Sequence, residues 1–575
     1  LKLRDALQII QASGQSADRF PVLLACGCAP AHFKTFLHAH LQQRLPQRSV
    51  SVNDGLYGDL VGTLERAASV PLQGIVVALE WPDLDPRLGY RSTAQWTLAS
   101  ANDIAGEAEK SLDRIGAAIA KIARGVRIAF SFPTLPVPPL FPAPSWQLSE
   151  IEMRLHQKLA SFSAALAGRP CLSFVHPRRL EEESPVATRF DLKSELLIGF
   201  PYSLSHADAL ALAFVRLLAP WAPKKGIITD LDDTLWSGIV GEVGPADVSW
   251  DFSEHHHLHA LYQNLLESLS GQGVLVGVAS KNDPAVVEQV FRRTDLLLRP
   301  ESIFPFEVHW QTKSASIGRI LETWNVKAES VIFVDDSPME LAEVSAHYPE
   351  MQCLRFPKED YPATMALLNQ LRDLCGKERI SAEDTLRLES IRKSAGFRIA
   401  KKDGTVSDDF LAQADAKLAV EFSPAPDDNR VLELVNKTNQ FNLNGLRRTM
   451  TDWQGLNAKP DGMVVLFSYE DRFGPLGKIA VIQGLRAGAV LYVSTWVLSC
   501  RAFSRRVEHQ CLRVLFDRFD LTEILFDFTP TSRNGPLQDF FESLLGEKPS
   551  GRISLLRATF EVRCPALFHR VVLED

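Results

Sequence analysis

The chain has 575 residues and a formal net charge of −8, a length that suggests three or four units of roughly 150–200 residues each and a charge that gives no reason to expect a polyanion partner such as nucleic acid. Its hydrophobic content of 46% is ordinary for globular protein, and no run approaches the ~18 apolar residues of a membrane span, so no membrane partner is expected. Eight cysteines in this length do not form a secreted disulfide framework, which makes a reducing, cytoplasmic compartment the expectation.

The first region runs from 1 to about 222. Leu1-Lys2-Leu3-Arg4-Asp5 reads as the start of an amphipathic helix, not of a signal peptide. Pro21–Ala25, Gly74–Leu79 and Val126–Phe130 read as buried strands, with Ala-rich helical stretches over 101–123. The proline-rich stretch Pro133–Pro144 cannot be helical. Cys26-x-Cys28 lacks the spacing and partners of a zinc site.

The second region, 223–376, carries the densest chemistry. Gly226-Ile227-Ile228-Thr229 is a buried strand that runs into Asp230-Leu231-Asp232-Asp233-Thr234. Val274–Ala279 is a second apolar strand and ends in Ser280-Lys281-Asn282. Lys313 opens a helix, and a third strand, Val331–Val334, ends in Asp335-Asp336-Ser337-Pro338. In a right-handed βαβ arrangement these polar strand ends converge on one edge of a parallel sheet, where such sheets hold their ligands. Two carboxylates two residues apart can divide the labour of attacking phosphorus and shuttling protons. A phosphoryl group repels an attacking carboxylate, so a cation is required. Asp230, the backbone carbonyl of Asp232, and Asp335 or Asp336 supply hard oxygen ligands that suit Mg2+. Ser280, Lys313 and Thr234 are candidates to hold phosphoryl oxygens, with Lys281 and Asn282 lining the site. Trp236 is either a lid or local core. His255, His256, His257 and His259 do not read as a metal site, because most of their spacings point apart on a helix.

The third region, 377–575, opens with a charged helical segment over 381–393. It continues through Asn436–Asn442, Asp471–Gly477, a strand Val490–Leu498 ending in Ser499-Cys500-Arg501, a helix over Ser504–Phe516, and a strand Ile524–Phe528 followed by Thr529–Asn534. Cys500 beside Arg501, Arg505 and Arg506 could be held as a thiolate and accept an acyl group. Cys511 on a helical pattern reads as core. Arg447-Arg448 could contact an acidic partner.

The order Asp-x-Asp-x-Thr, Ser, Lys, Asp-Asp resembles the four motifs of the haloacid dehalogenase (HAD) phosphotransferases, and the strand–turn–helix around Cys500 resembles the core of the GNAT acyltransferase fold. Over nearly its whole length the chain resembles the FkbH-like proteins, HAD subfamily IIIC, through Asp230–Trp236, Ser280-Lys281-Asn282, Phe333–Pro338, Asn436–Asn442, Asp471–Gly474, Ser499-Cys500-Arg501 and Val507-Glu508. The resemblance implies an α/β multidomain chain: a degenerate SGNH-hydrolase-like α/β domain over 1–222, a Rossmann-like parallel-sheet HAD domain over 223–376 and a GNAT-like α+β domain over 377–575. It implies Asp230 as nucleophile, Asp232 as acid/base and Mg2+ held by Asp230, Asp232, Asp335 and Asp336. It further implies removal of phosphate from 1,3-bisphosphoglycerate and transfer of the glyceryl unit through Cys500 to an acyl carrier protein, for polyketide or related biosynthesis. Position 233 is Asp where the family usually has Asn; Val243 replaces a usual acid, and Ser504 and Arg506 stand where glycines are common. Cys28 lies where a hydrolase nucleophile could sit, but no Asp-x-x-His accompanies His206, so the first domain is expected to be non-catalytic. A plain phosphatase with a C-terminal binding module, and a docking scaffold, are the alternatives.

Overall fold

The computed structural model describes the chain apart from residues 15, 93–97, 140–142, 253–254, 378–379, 381–383, 385–387, 390, 393–407, 423–428, 439, 450–452, 454–460, 473, 500–501, 504 and 575. The chain folds as two compact units, Leu1–Trp221 and Ala222–Asp575. Most of the helical segment expected over 381–393 lies outside the described residues.

The first unit contains β1 (Arg19–Cys26), β2 (Ser49–Asp54), β3 (Gly74–Ala78), β4 (Arg127–Ser131) and β5 (Leu172–Phe174). They form an all-parallel sheet in the order β2-β1-β3-β4-β5. Alternate residues of each strand feed opposite faces. Val22, Leu24 and Val76 pack with Phe33, Phe36 and Phe214, whereas Ala25, Ile75 and Val77 pack with Ile104, Ile115 and Leu155. Both faces are therefore covered by helices, which is why β3 is buried at every position.

The second unit carries two sheets. The first of these contains β6 (Gly226–Thr229), β7 (Leu275–Ser280), β8 (Ile303–Val308), β9 (Val331–Asp335) and β10 (Gln352–Arg355). It is again wholly parallel, in the order β10-β9-β6-β7-β8. Ile227, Val276, Val278 and Ile332 point to one face; Ile228, Leu275, Ala279 and Phe333 point to the other. Burying each such aliphatic side chain is worth about 1.5–3 kcal/mol. Two glycines on neighbouring strands have a packing reason. A Cβ on Gly226 would come within 2.6 Å of the Trp324 ring and one on Gly277 within 2.8 Å. The ring fills the space that two absent side chains leave, and its Nε1 donates to the Phe304 carbonyl at 2.6 Å. The sheet is a Rossmann-like doubly wound α/β layer.

The remaining strands are β11 (Lys417–Phe422), β12 (Gly462–Asp471), β13 (Gly474–Ala487), β14 (Val490–Leu498), β15 (Glu523–Phe526), β16 (Ile553–Leu556) and β17 (Arg570–Glu574). Their order is β16-β15-β14-β13-β12-β11-β17, mixed in direction, with β14 and β15 parallel and joined through the helix Val507–Phe519. The stretch Asp471–Gly477, singled out as a motif, spans the turn of the β12–β13 hairpin. No helix among the described residues is long and apolar enough to cross a membrane.

Candidate active site

The site lies at the carboxyl ends of β6 and β9, neighbouring inner strands of the second sheet. The Asp230 N–H donates to the Val334 carbonyl at 3.0 Å, so Asp230 stands beside the end of β9. The chain then tightens around the Leu231 carbonyl, which accepts from the N–H groups of Thr234, Leu235 and Trp236 at 3.2, 2.7 and 3.3 Å. Asp233 occupies the left-handed region at φ 53°, which Asp and Asn tolerate better than most residues. Its Oδ1 accepts from the Gly238 N–H at 2.9 Å and closes the loop.

Among the described residues, the one group of ligating side chains close enough to hold a metal ion is Asp230, Asp335 and Asp336, whose ligand atoms lie within 4.8 Å of one another. Asp230 Oδ1 is buried and takes no hydrogen bond. A buried carboxylate oxygen without a donor is costly unless something else fills its lone pair. Three hard anionic oxygens suit Mg2+ or a similar cation, so these residues fit such an ion. His255, His256, His257 and His259 form no such group among the described residues.

Lys313, expected to hold phosphoryl oxygens, is buried at the start of the helix Lys313–Trp324. Its Nζ lies 2.9 Å from Asp230 Oδ2 and 2.5 Å from Asp335 Oδ2. Burial alone would lower the Lys313 ammonium pKa, but the two carboxylates outweigh it and hold the group charged. Burial, then the charge of Asp230, pushes Asp335 up, against the pull of Lys313. Burial raises Asp336 as well.

Asp232 is held apart from this cluster by its own set of donors. Oδ1 accepts from Trp236 Nε1 at 2.9 Å and the Val240 N–H at 3.1 Å, and Oδ2 accepts from Asn282 Nδ2 at 2.9 Å. Burial nevertheless raises its pKa, which favours a carboxylic acid able to give up a proton. Asn282 also donates to Ser280 Oγ at 3.3 Å, which ties the end of β7 to Asp232. Trp236 is fully buried in the core; of the lid and core readings, the structure supports the core. Lys281 pairs with Glu340 Oε1 at 2.7 Å. Thr234 is fully buried, and its Oγ1 accepts the Asp336 N–H at 3.0 Å, so it links the two acidic turns.

Two features escaped sequence reasoning. Lys358, on the loop after β10, bridges Asp233 Oδ2 at 2.5 Å and Asp336 Oδ2 at 3.2 Å. Burial would raise Asp233, but Lys358 and the Gly238 N–H outweigh it and hold that carboxylate below its usual range. The helix His257–Gly271 braces the turn from behind. His259 Nδ1 donates to the Thr234 carbonyl at 2.9 Å and Gln263 Nε2 to the Leu235 carbonyl at 2.9 Å. Burial holds His259 neutral, with its pKa lowered to about 4. The i, i+4 spacing of His259 and Gln263 was the available signal.

In the third sheet, Cys500 and Arg501 lie outside the described residues, as does Ser504. The flanking positions are well anchored. Arg505 Nε pairs with Asp471 Oδ2 at 3.1 Å in a buried site, and the Tyr469 hydroxyl donates to the same oxygen at 3.0 Å. Cys511 is fully buried, as expected for core. The asparagines of Asn436–Asn442 and Thr529–Asn534 act as stitches. Asn534 Nδ2 donates to the Asn442 carbonyl at 3.1 Å, and Asn436 exchanges two hydrogen bonds with the Arg448 backbone at 2.7 and 2.8 Å. Arg447 spends Nη1 on the carbonyls of Val435 and Thr438, each at 2.9 Å.

No family model matches this sequence. No curated protein matches it either. Among solved structures, the chain is similar to the N-terminal part of protein BF1531 from Bacteroides fragilis, which contains a phosphatase domain and was crystallised in complex with Mg. The likeness covers 64% of this chain and 98% of that one, at 17% identity and a TM-score of 0.50. The shared property is the fold. A GCN5-related glucosamine N-acetyltransferase region of a fungal multi-domain GH3 beta-N-acetylglucosaminidase aligns over 93% of this chain and 63% of that one, with a TM-score of 0.15 and 12% identity, too low to carry a fold argument.

Proposed function

We propose that the chain is a Mg2+-dependent phosphatase or phosphotransferase of the HAD type. The observation that carries this reading is the buried Asp230–Asp335–Asp336 cluster, with Asp230 Oδ1 unpartnered and Lys313 bonded to two of the three acids. The fold shared with a phosphatase domain complexed with Mg supports it. When bound, the cation offsets the phosphoryl charge that otherwise repels a carboxylate. An Asp230 oxygen attacks phosphorus; the P–O bond to the leaving group breaks, and the departing oxygen takes its proton from Asp232. The resulting aspartyl-phosphate is cleaved by a water whose proton returns to Asp232, releasing inorganic phosphate. Lys313 and Ser280 meet the phosphoryl oxygens, while Lys281, Asn282 and Thr234 hold the turns in position.

On the finer level, we read the chain as an FkbH-like glyceryl-loading enzyme. The first unit is a degenerate SGNH-like domain over 1–222, and the remainder divides into the HAD region, 223–376, and a GNAT-like region, 377–575. Cys500 attacks carbon 1 of 1,3-bisphosphoglycerate, the acyl C–O bond breaks and phosphate leaves, giving an enzyme thioester; Asp230 takes the phosphoryl group from carbon 3, the P–O bond to that oxygen breaks and Asp232 protonates it, so that the unit carried is glyceryl. The phosphopantetheine thiol of an acyl carrier protein then takes the acyl group and frees Cys500. The buried Asp471–Arg505 pair anchors the segment that follows this cysteine. The substrate and carrier rest on the resemblance; a different acyl phosphate satisfies the same residues.

The test incubates the protein with Mg2+ and enzymatically generated 1,3-bisphosphoglycerate, with and without holo carrier protein, and reads phosphate release and intact mass. Glyceryl adducts on enzyme and carrier support loading; phosphate release without adducts leaves the plain phosphatase. Cys500→Ala is expected to lose the adduct yet still hydrolyse a simple phosphomonoester. Asp230→Asn is expected to lose phosphate release by at least ~10³-fold with the fold intact, because an amide cannot attack phosphorus. Near-wild-type turnover in that variant overturns the HAD assignment.

A further inference from the structure

The first unit holds a cavity of about 360 Å³ that none of the phosphoryl chemistry uses. It lies over the carboxyl ends of β1, β3 and β4, reached by Cys28, Glu80 and Leu135, the residues that follow those strands. In the order β2-β1-β3-β4-β5 the chain steps from β1 outward to β2 and then back across to β3. The crevice between β1 and β3 is therefore the point where strand order reverses, the place where open parallel sheets take their ligands. The volume falls within the range of roughly 300–1,000 Å³ typical of small-molecule sites.

The lining decides the chemistry. Tyr57, Trp81, Tyr90 and Phe190 supply aromatic rings, and the charged lining residues are Glu80, Asp83, Arg91 and Glu195. Arg91 is spent at the mouth, with Nε 3.0 Å from Glu195 Oε1 and its guanidinium 6.0 Å from the Tyr57 ring centroid. Glu80 is saturated by the N–H groups of Thr134 and Leu135 and the hydroxyls of Thr134 and Tyr202. Asp83 is not. Its Oδ2 accepts the Glu80 N–H at 2.8 Å, and its Oδ1 lies against Gly27, where a Cβ would approach to 1.7 Å. Among the described residues no cation bonds Asp83. Burial, with the charge of Glu80, pushes its carboxyl up to about 7, as expected of an acid lacking a counter-ion. The hydrogen bond with Cys26, then burial, raises the Cys28 thiol well above its usual value, which disfavours the thiolate.

We propose that this cavity binds a small organic cation, its ammonium group seated on Asp83 and packed against the rings of Tyr57, Trp81 and Tyr90. A cation over aromatic faces in a desolvated pocket is held by the ring quadrupoles as well as by the carboxylate. An anion would meet two acids, and a neutral ligand would leave Asp83 without a counter-charge.

The experiment is calorimetric titration of the full chain with phenethylammonium, and with its neutral and anionic counterparts of the same shape, phenethyl alcohol and phenylacetate. Saturable binding of the ammonium alone is expected, weakened about tenfold or more by Asp83→Asn and several-fold by Tyr57→Ala. Phosphate release should be unchanged in both variants. Tyr57 has an exposed side chain, so Tyr57→Ala decides the matter even where Asp83→Asn fails to fold. The proposal is overturned if none of the probes binds, if the neutral or anionic probe binds as well as the ammonium, or if Tyr57→Ala leaves the affinity unchanged.

Discussion

Lys358 sets the local charge at the acids proposed to hold Mg2+. It neutralises part of Asp233 and Asp336. A cation binding at Asp336 has to compete with this ammonium. Lys358→Met should therefore bind Mg2+ several-fold more tightly by calorimetry, since exposed to half-buried charge pairs are worth up to about 1 kcal/mol. In chelator the same variant should be less stable than wild type, because Asp233 and Asp336 are left facing each other. Weaker Mg2+ binding in Lys358→Met would contradict this role. Asp230, Asp232, Ser280, Lys313 and Asp335 were legible in the sequence because each follows an apolar strand or opens a helix at a strand edge. Lys358 was not, because only the sheet order brings the loop after β10 next to the turn after β6. The asparagine-rich segments of the third region stood out in the sequence as motifs without an assigned role; in the fold they bond mainly to backbone carbonyls and N–H groups.

At the scale of elements, the paired glycines of β6 and β7 and the Trp324 ring form one packing unit. Gly277→Ala would force its methyl into the ring, and overpacking of this kind costs about 1–3 kcal/mol. Urea denaturation should show that loss at unchanged slope, and the phosphatase activity of the folded fraction should persist, since Gly277 lies in mid-strand. A variant as stable as wild type would mean that Trp324 can shift freely. Strands with continuous apolar runs were readable to within a residue or two: Gly226–Thr229 and Val490–Leu498 match their expected spans, and Val274–Ala279 moved by one residue. Edge strands were not. Gln352–Arg355 and Leu172–Phe174 are short and only half-buried, so neither carries the unbroken hydrophobicity that marks a central parallel strand. The β12–β13 hairpin was missed because its turn, from Asp471 to Gly474, lacks the Asn-Gly or Asp-Gly signal.

For the whole molecule, the division into Leu1–Trp221 and Ala222–Asp575 makes ligand linkage separable. The acidic cluster belongs to the second unit, so Mg2+ should stabilise that unit by about 2.7 kcal/mol at a hundredfold excess over Kd. Scanning calorimetry with Mg2+ and with chelator should show one transition that moves and one that does not. Equal movement of all transitions would contradict independent units. A pH test reports on the first unit alone. His206 is buried between Thr134 Oγ1 and Ser184 Oγ, each at 2.9 Å. Burial, then Arg189, lowers its pKa to about 3. Below pH ~6.5 the unfolded chain takes up a proton that the folded one refuses, so stability falls with pH until the folded value is reached. Relative to His206→Gln, wild type should lose on the order of 2 kcal/mol between pH 7.5 and 5.0 in urea titrations. A constant difference across that range would mean that His206 is already protonated in the fold.

The position of the acids within the sheet has a consequence for how such a protein can diverge. Asp230 follows the central strand β6, Asp335 ends the neighbouring inner strand β9, and Asp335 is wholly enclosed; drift at either position erodes core and chemistry together. Lys358 follows the edge strand β10, and its side chain is 38% exposed. Selection can alter that position without disturbing a layer of the core. On the proposed function, cation preference and metal demand can thus wander among descendants of this chain while Asp230 stays fixed, and a library randomised at 358 should yield folded variants that differ in the ion they require.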